Sequence, residues 1–266
     1  MRWVSSPARM STAPTSDRIF AAIEALQGRA PWGRVLDAGT GSHSGRWVAG
    51  LPRAEWTGVT LGESVAAALR SELGDRASAR GRILVGDWRD ERFLAGEVFD
   101  VVLADYLLGA VEGGAPFFQE ALFARLRRHV APAGRLYAVG LEPYPEPAVC
   151  EWGQCLLEIV RLRDAAILLC GERPFREHPQ AWVVARLEAS GYRVESQQRF
   201  PIRYGERFVK GQLRIVHHKL PRIPDQALAR ELERAARQLE ARGMDLLRRG
   251  QSCAWGEDWL VAARPV

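Results

Sequence analysis

The sequence predicts an α/β fold, with a seven-stranded, mostly parallel sheet that carries helices on both faces. Short apolar runs rich in Val, Ile and Leu recur through the first half of the chain, as buried strands do. Amphipathic helical patterns separate most of these runs, which is the order of βαβ units. Acidic residues and Gly stand where the runs end, and open parallel sheets bind ligands at their strand ends. The crossovers between parallel strands are expected to be right-handed.

The first half of the chain, residues 17–141, holds five of the predicted strands. Its opening helix, 17–26, is amphipathic and has Ser16 or Asp17 as a suitable N-cap. A Pro-Ala-Gly turn at 132–134 is expected to lead into the fifth strand. The strands are predicted at 34–37, 55–60, 81–85, 99–104 and 135–141, with helices at 44–50, 63–73 and 117–129.

The second half of the chain is more helical, and its helices flank a sixth strand. We find no internal repeat and no long linker, so residues 17–266 are predicted to form one domain. The Ser/Pro-rich residues 1–16 are expected to be flexible. Helices are predicted at 151–169, 179–190, 205–217 and 224–249, and strands at 191–199 and around 259–263.

Composition and charge place the chain among ordinary soluble proteins. The hydrophobic share is 47% and the charged share 26%, and no apolar run is long enough to span a bilayer. The formal net charge is +5 and almost all of the basic residues are Arg, since only Lys210 and Lys219 are lysines. These arginines alternate with Glu and Asp, as in ELERAARQLEARG, so nucleic acid is not an expected partner.

The four cysteines indicate neither a metal site nor a redox motif. Cys150, Cys155, Cys170 and Cys253 have neither zinc-site nor CxxC spacing. The N-terminus lacks the apolar core of a signal peptide. We therefore expect a cytoplasmic protein with free thiols and no bound metal.

Three strand ends carry residues suited to a polar ligand. The stretch VLDAGTG places Asp37 at the end of the first strand and a tight turn with two glycines after it. Such a turn exposes backbone N–H groups and the N-terminus of the next helix. Asp87 and Trp88 follow the third strand, and Asp105 and Tyr106 follow the fourth.

Taken in order, VLDAGTG, GDW, FDVVLADY and LRRHVAPAGRLYAVG resemble the motif set of class I S-adenosylmethionine-dependent methyltransferases. The resemblance covers residues 34–141 and implies a Rossmann-like fold. It also implies a cofactor-binding half, 17–141, and a substrate or lid half, 142–266. S-adenosyl-L-methionine is then the methyl donor and S-adenosyl-L-homocysteine the product. The implied function is methyl transfer to an oxygen, nitrogen or sulfur atom of a small molecule.

The resemblance assigns cofactor-binding roles to residues at four strand ends. The turn after the first strand meets the amino-acid part of the cofactor, and the second strand end meets the ribose. The acid after the third strand accepts from the adenine amino group, with the neighbouring indole stacked on the ring. The methyl group meets the substrate beside the fourth strand end. The cofactor-binding candidates are Asp37, Gly39, Thr40, Gly41, Ser42, Thr60, Leu61, Asp87, Trp88 and Asp105.

Two positions depart from the usual pattern of the family. Thr60 stands where most relatives have an acid for the ribose hydroxyls, and a bulky His43 stands where a third Gly is common. His43 is therefore a candidate catalytic base, alongside Tyr106 near the sulfonium and Glu142 after the fifth strand. A structural role for the His43 imidazole is the competing interpretation.

Several alternatives remain open at this point. A dinucleotide-binding site would need Gly at Ser44 and an acid at Thr60, so a dehydrogenase is disfavoured. The basic pI of about 9.3 leaves open an RNA or protein methyltransferase, although the NPPY-type segment of nucleic-acid base methylases is absent. A non-catalytic cofactor-binding or scaffold protein and a homodimer also stay open. His217 and His218 are adjacent on a predicted helix, which favours surface positions.

Overall fold

The computed structural model describes residues 18–75 and 80–266 of the chain. The predicted flexible segment, 1–16, and the predicted N-cap of the first helix lie outside the described residues. Within those two ranges, no helix is both long and apolar enough to cross a membrane.

A single seven-stranded sheet organises the fold, as the sequence predicts. The strand order is β3-β2-β1-β4-β5-β7-β6. The first five strands are parallel to one another, and β7 runs antiparallel to both β5 and β6. The strands are β1 Arg34–Asp37, β2 Glu55–Thr60, β3 Gly81–Val85, β4 Phe99–Asp105, β5 Val130–Leu141, β6 Tyr192–Pro201 and β7 Glu257–Pro265.

Helices cover both faces of the sheet because successive strand residues point to opposite sides. The helices are α1 Arg18–Gln27, α2 Ser42–Gly50, α3 Glu63–Leu73, α4 Leu107–Gly114, α5 Gln119–Arg127, α6 Glu151–Leu169, α7 Gln180–Ala189, α8 Glu206–Lys219 and α9 Gln226–Arg248. On β4, Val101 and Leu103 pack with α1, α2 and α3, whereas Val102 and Ala104 pack with α4, α5 and α7.

The helical additions have a hydrophobic core of their own. Helices α6, α8 and α9 pack against one another, and their buried side chains include Trp152, Leu156, Val209 and Leu246. This third core is separate from the two that cover the sheet. The additions therefore form a packed three-helix layer beside the sheet.

The cysteine prediction is wrong for one pair. Cys150, the N-cap of α6, forms a disulfide with Cys253 in the segment before β7. The two residues are 103 positions apart in the chain, so the sequence spacing carries no sign of the pairing. Cys155 and Cys170 are free thiols, as expected.

Two elements differ from their predictions. Helix α4 was not predicted, because its sequence LLGAVEGG contains three glycines, which disfavour a helix. Burial of Leu107, Leu108 and Val111 against the sheet offsets that cost. The predicted turn at 132–134 is instead an irregular part of β5. Phe99 pairs with Val130 and Val101 pairs with Arg135, so residues 131–134 of β5 form a bulge in the ladder.

Buried Arg125 on α5 fastens the segment that follows β3. Its Nε donates to the carbonyl of Trp88 at 3.2 Å, and its Nη2 donates to the carbonyls of Asp90 at 3.1 Å and Phe93 at 2.6 Å. The Arg125 side chain is therefore the partner of three main-chain oxygens in a segment with no regular secondary structure.

We predict that Arg125→Met lowers the free energy of unfolding by about 2–4 kcal/mol, because it leaves these carbonyl oxygens unsatisfied. Urea denaturation measures the change. Arg128→Met is the matched control, since the exposed Arg128 makes only a long ion pair of 3.7 Å with Glu91. The control is expected to stay within about 0.5 kcal/mol of the parent protein. Equal losses in the two variants would contradict the anchoring role.

Candidate functional site

A large cavity of about 1740 Å³ opens at the carboxyl ends of β1, β2, β3 and β4. It extends from these strand ends to the helical additions, where residues of α6 and α8 form its opposite side. Single-ligand sites usually have volumes of roughly 300–1,000 Å³. The cavity is therefore large enough for two ligands side by side.

The turn after β1 is held by the side chain of Thr40. Its Oγ1 donates to the carbonyl of Asp37 at 3.0 Å and accepts from the N–H of Val59 at 2.9 Å. The Thr40 N–H also donates to the Val59 carbonyl at 2.7 Å. Thr40 therefore ties the turn to the end of β2, and residues 38–41, the glycine turn, border the cavity.

The two glycines of this turn serve different purposes. A β-carbon on Gly39 would meet the side chain of Leu107 at 2.9 Å, so Gly39 permits close packing against α4. A β-carbon on Gly41 would have no atom within 4 Å, so Gly41 faces open space. Gly41 is also the N-cap of α2, whose first N–H groups are not satisfied within the helix.

Asp37 lies fully buried beneath the glycine turn. Neither of its carboxylate oxygens has a hydrogen-bond partner in the described part of the chain. Burial raises the pKa of Asp37 from its ordinary 3.8 to about 6, and the nearby Ser44 and Thr40 hydroxyls lower it in part. Both hydroxyls give their own hydrogen bonds to main-chain carbonyls, those of Gly41 and Asp37. An acid without a hydrogen-bond partner among the described residues therefore lies beneath the lining of the cavity.

The ends of β2 and β3 bring Thr60, Leu61, Asp87 and Trp88 to the cavity. Both oxygens of Asp87 accept from Arg89, at 3.1 Å and 3.0 Å from Nε, and this pairing holds the pKa of Asp87 below its usual range. The Asp87 side chain remains 34% exposed, so it keeps room for a further donor.

Trp88 is held in place by contacts with the protein itself. Its indole N–H donates to the carbonyl of Ala38 at 2.8 Å, and its ring packs edge-on against Phe93. Only 6% of Trp88 is exposed. Trp88 therefore also fastens the glycine turn to the end of β3, a structural role that the sequence did not indicate.

The end of β4 brings Asp105 and Tyr106 to the same cavity. Tyr106 has a positive φ of 48°, which is rare for a residue with a side chain, and it begins α4. Its N–H donates to the carbonyl of Val139 at 2.9 Å. Backbone strain of this kind is concentrated at functional sites.

Two of the three catalytic candidates border the cavity, and the third does not. His43 borders the cavity, with its ring against Phe20 at a centroid distance of 4.9 Å, and Tyr106 borders it from the end of β4. Glu142 lies outside the residues that line the cavity. Its Oε2 accepts from the N–H of Gln180 at 2.9 Å, at the start of α7, and lies 3.7 Å from Arg199.

The opposite side of the cavity contains residues that the sequence analysis did not single out. We call it the helical wall. Helix α6 has an apolar stripe that Arg163 and Asp164 interrupt. The 3.6-residue period of the helix places these two polar residues on its buried face, which is the signal that could have identified them. The helical wall comprises Val160, Arg163, Asp164 and Ile167 of α6 with Phe208, Gly211, Gln212, Ile215 and His218 of α8.

A polar cluster lies within this wall. Asp164 Oδ1 accepts from Arg163 Nε at 2.8 Å and pairs with Nη2 at 2.6 Å, while Arg163 Nη1 donates to Gln212 Oε1 at 2.7 Å. Burial raises the pKa of Asp164, and the charge of Arg163 opposes that shift. Asp164 Oδ2 takes part in none of these bonds. His217 and His218 are both exposed on α8, and His218 borders the cavity.

No protein-family model matches the chain, and no curated protein matches its sequence. Solved structures do match. A putative methyltransferase from Bacillus halodurans C-125 has a TM-score of 0.61 at 14% identity, covering 94% of this chain and 99% of its own. A Geobacter sulfurreducens S-adenosylmethionine-dependent methyltransferase, solved with S-adenosyl-L-homocysteine, has 0.55 at 16%, covering 97% and 95%. The [4+2]-cyclase SpnF has 0.53 at 16%, covering 93% and 80%.

The chain has the class I methyltransferase fold. At these low identities the likeness concerns the fold alone. In this structure the glycine turn and the ends of β2, β3 and β4 surround one cavity. The predicted cofactor-binding residues therefore lie together, apart from Asp37, which lies beneath the lining rather than in it.

We predict that Asp37→Asn stabilises the protein at neutral pH. Because the folded-state pKa of Asp37 is raised to about 6, its contribution to stability is full below about pH 4 and is lost as the pH rises through 6. Two pKa units correspond to about 3 kcal/mol, so Asn is expected to raise the free energy of unfolding at pH 7 by about 1–3 kcal/mol.

Urea denaturation at pH 4, 5, 6 and 7 measures this difference. The gap between Asp37→Asn and the parent protein is expected to widen from pH 4 to pH 7. Asp87→Asn is the control of opposite sign, because the pKa of Asp87 is lowered rather than raised. A constant gap across this range would show that Asp37 does not titrate as its burial implies.

Proposed function

We propose that the protein transfers a methyl group from S-adenosyl-L-methionine to a small molecule bound in the same cavity. The observation that carries the proposal is the glycine turn, which is open to the cavity at Gly41 and lies over the unpaired carboxylate of Asp37. The Geobacter sulfurreducens protein with the same fold was solved with S-adenosyl-L-homocysteine, which supports this choice of ligand.

The residues present fit the amino-acid end of that cofactor. The N–H groups of the first turn of α2, which follow Gly41 and have no acceptor within the helix, suit its carboxylate, while the Gly41 N–H itself donates to Ser44 Oγ at 3.1 Å. The unpaired Asp37 gives the turn a negative potential, which suits its ammonium group, and a cationic neighbour would offset the cost of burying the carboxylate. The orphaned acid is thus explained by a ligand that carries positive charge.

The remaining strand ends fit the nucleoside part. Thr60 and Leu61 at the end of β2 would meet the ribose, and Asp87 would accept from the adenine amino group while Arg89 holds it in place. Trp88 would contribute an apolar edge. Tyr106 would place an aromatic ring near the sulfonium, which favours a cation. When bound, the cofactor supplies an electrophilic methyl group on a positively charged sulfur.

The chain itself must orient the acceptor and exclude water. The strand ends and the helical wall enclose the acceptor from opposite sides, which aligns it and removes competing solvent. Asp164 lines the cavity and its Oδ2 takes no part in the pairing with Arg163, so this oxygen would accept a hydrogen bond from an acceptor O–H or N–H. Burial raises the pKa of Asp164, which would suit it to hold a proton. His43 is the second candidate for this role at the opposite side of the cavity.

A small-molecule acceptor is favoured over a macromolecule by the shape of the site. The cavity is deep and is lined by α6 and α8, and apolar side chains such as Val160, Ile167 and Ile215 face it. An RNA or protein methyltransferase stays the alternative supported by the basic pI. A protein that uses the fold for other chemistry is the second alternative, because the [4+2]-cyclase SpnF shares this fold.

Calorimetric titration with S-adenosyl-L-homocysteine and S-adenosyl-L-methionine tests the proposal directly. We expect binding in the micromolar range, followed by methyl transfer to members of an acceptor panel of hydroxyl, amine and thiol compounds. The absence of binding at about 1 mM ligand would contradict the proposal, because it would mean that the binding free energy is weaker than about −4 kcal/mol. Tight binding without transfer to any acceptor would favour the non-methylating alternative.

We predict that Gly41→Val weakens binding of S-adenosyl-L-homocysteine by at least about ten-fold, or about 1.4 kcal/mol. The new side chain would occupy the open space beside the turn, where no protein atom lies within 4 Å. Gly50→Val is the matched control, because Gly50 ends the same helix with equally open space but does not line the cavity. Equal affinity in the two variants would place the cofactor elsewhere.

We also predict that Asp87→Ala weakens cofactor binding by about 1–3 kcal/mol through loss of a hydrogen bond to a charged group. Asp90→Ala serves as the comparison, since Asp90 accepts from the N–H of Arg92 and lies outside the cavity lining. Calorimetry on both variants gives the difference. An unchanged affinity in Asp87→Ala would remove Asp87 from the adenine site.

A further inference from the structure

The part of the cavity beyond the cofactor candidates has an uneven charge distribution. Among the described residues, eight Arg and Lys side chains line the cavity, against six Asp and Glu side chains. Two of the six acids, Asp87 and Asp105, belong to the ends of β3 and β4. Beyond those strand ends, basic side chains therefore outnumber acidic ones by eight to four. Such an excess in a concave site attracts anions.

Several of these basic residues already have acidic partners. Arg163 pairs with Asp164 within the helical wall. Lys219 pairs with Glu172 at 2.5 Å, and that lysine is only 5% exposed. These pairs hold the helical additions together and leave little charge for a ligand.

A second acid holds the segment between α6 and α7. Buried Glu112 on α4 accepts from Arg173 at 2.9 Å and lies 3.5 Å from Arg176. Only 3% of the Glu112 side chain is exposed. The two arginines are thus committed to fastening this segment onto α4.

Arg203 and Arg214 differ from the others. Across residues 18–75 and 80–266, neither guanidinium has a hydrogen bond or an ion pair. Arg203 lies in the connection between β6 and α8, and Arg214 lies on α8. Both line the cavity and both are exposed, so they are available to a ligand that enters it.

The surroundings of Arg214 reinforce its charge. Positions 207, 211, 214 and 218 share one face of α8 because they are three and four residues apart. That face presents Arg207, Gly211 and His218 beside Arg214, and no acid. A β-carbon on Gly211 would meet no atom within 4 Å, so the face is open there. The acid of α8, Glu206, is paired with Lys210 at 2.5 Å.

Aromatic groups line the same cavity as these arginines. Tyr204 follows Arg203 in the chain, and its ring lies 3.9 Å from that of Phe208. The Tyr144 hydroxyl is 3.3 Å from the Tyr204 hydroxyl. All three rings border the cavity. A ligand here meets an aromatic surface and unpaired guanidinium groups together.

We propose that the methyl acceptor is a small molecule that carries an anionic group, a carboxylate or a phosphate, and that Arg203 and Arg214 select it. The anionic group lies in the outer part of the cavity, the apolar body lies along Tyr204 and Phe208, and the acceptor atom faces Tyr106. Arg suits both kinds of anion because its planar guanidinium offers parallel donors to paired oxygens. That this small molecule accepts a methyl group rests on the proposed function. The preference of the cavity for anions does not depend on it.

Four phenyl-bearing probes test the preference: phenyl phosphate, phenylacetate, the neutral phenylacetamide and the cationic 2-phenylethylamine. Each is titrated by ligand-observed NMR into protein saturated with S-adenosyl-L-homocysteine, and into protein alone. We expect at least one anion to bind about ten-fold or more tightly than the amide at low salt, with the advantage shrinking as NaCl is added. The two anionic probes distinguish a phosphate site from a carboxylate site.

Variants locate the effect. Arg203→Gln with Arg214→Gln is expected to reduce the advantage of the anion to about three-fold or less, and each single change to reduce it in part. Arg230→Gln is the matched control, because Arg230 is exposed and unpaired in the described structure but does not line the cavity. The control is expected to keep the full advantage. Thermal denaturation checks that all variants remain folded.

Three results would overturn the inference. The first is that the amide or the amine binds as tightly as both anions, or that neither anion binds at about 10 mM, an affinity near −3 kcal/mol. The second is an equal loss in Arg230→Gln, which marks a general effect of net charge. The third is an undiminished advantage in the double variant. Failure of S-adenosyl-L-homocysteine to bind would instead refute the proposed function. Its binding is measured separately from that of the probes in the same experiments.

Discussion

The hydrogen bonds of Thr40 are the constraint on which the rest of the site depends. One hydroxyl joins the carbonyl of Asp37 to the N–H of Val59 and so fixes the glycine turn between β1 and β2. Because the turn is held there, Gly41 opens into the cavity and α2 presents its N-terminus to it. The same geometry buries Asp37 without a partner, which is costly unless a cation lies above it.

The two sides of the cavity arise from different parts of the fold. The strand-end side belongs to the parallel sheet, where neighbouring strands bring their carboxyl ends to one edge. The helical wall belongs to a separate hydrophobic core formed by α6, α8 and α9. The sheet and the helical additions can therefore vary independently, which is why a shared fold does not imply a shared substrate.

Sequence reasoning succeeded where the structure depends on local pattern. The strand ends that carry Thr60, Asp87 and Tyr106 were found because each closes a short apolar run. It did less well where contacts are long-range. The residues near Glu142 in the chain do not indicate that its carboxylate accepts a hydrogen bond from the N–H of Gln180. Those near Cys150 do not indicate its disulfide with Cys253. Helix α4 was missed because its burial, rather than its glycine-rich sequence, stabilises it.

By itself, the sequence determined the α/β fold class, the strand order of the first half along the chain and the residues of the glycine turn, since periodicity and Gly placement act over a few neighbours. Only the tertiary structure decided that Asp164 and Gln212 join the site, that Arg163, Arg173, Arg176 and Lys219 form ion pairs with acids, and that Arg203 and Arg214 do not pair within the described residues. The physical reason is that the pairing of charges and the burial of side chains depend on elements that are distant in the chain. The local sequence pattern does not show which of these elements will meet.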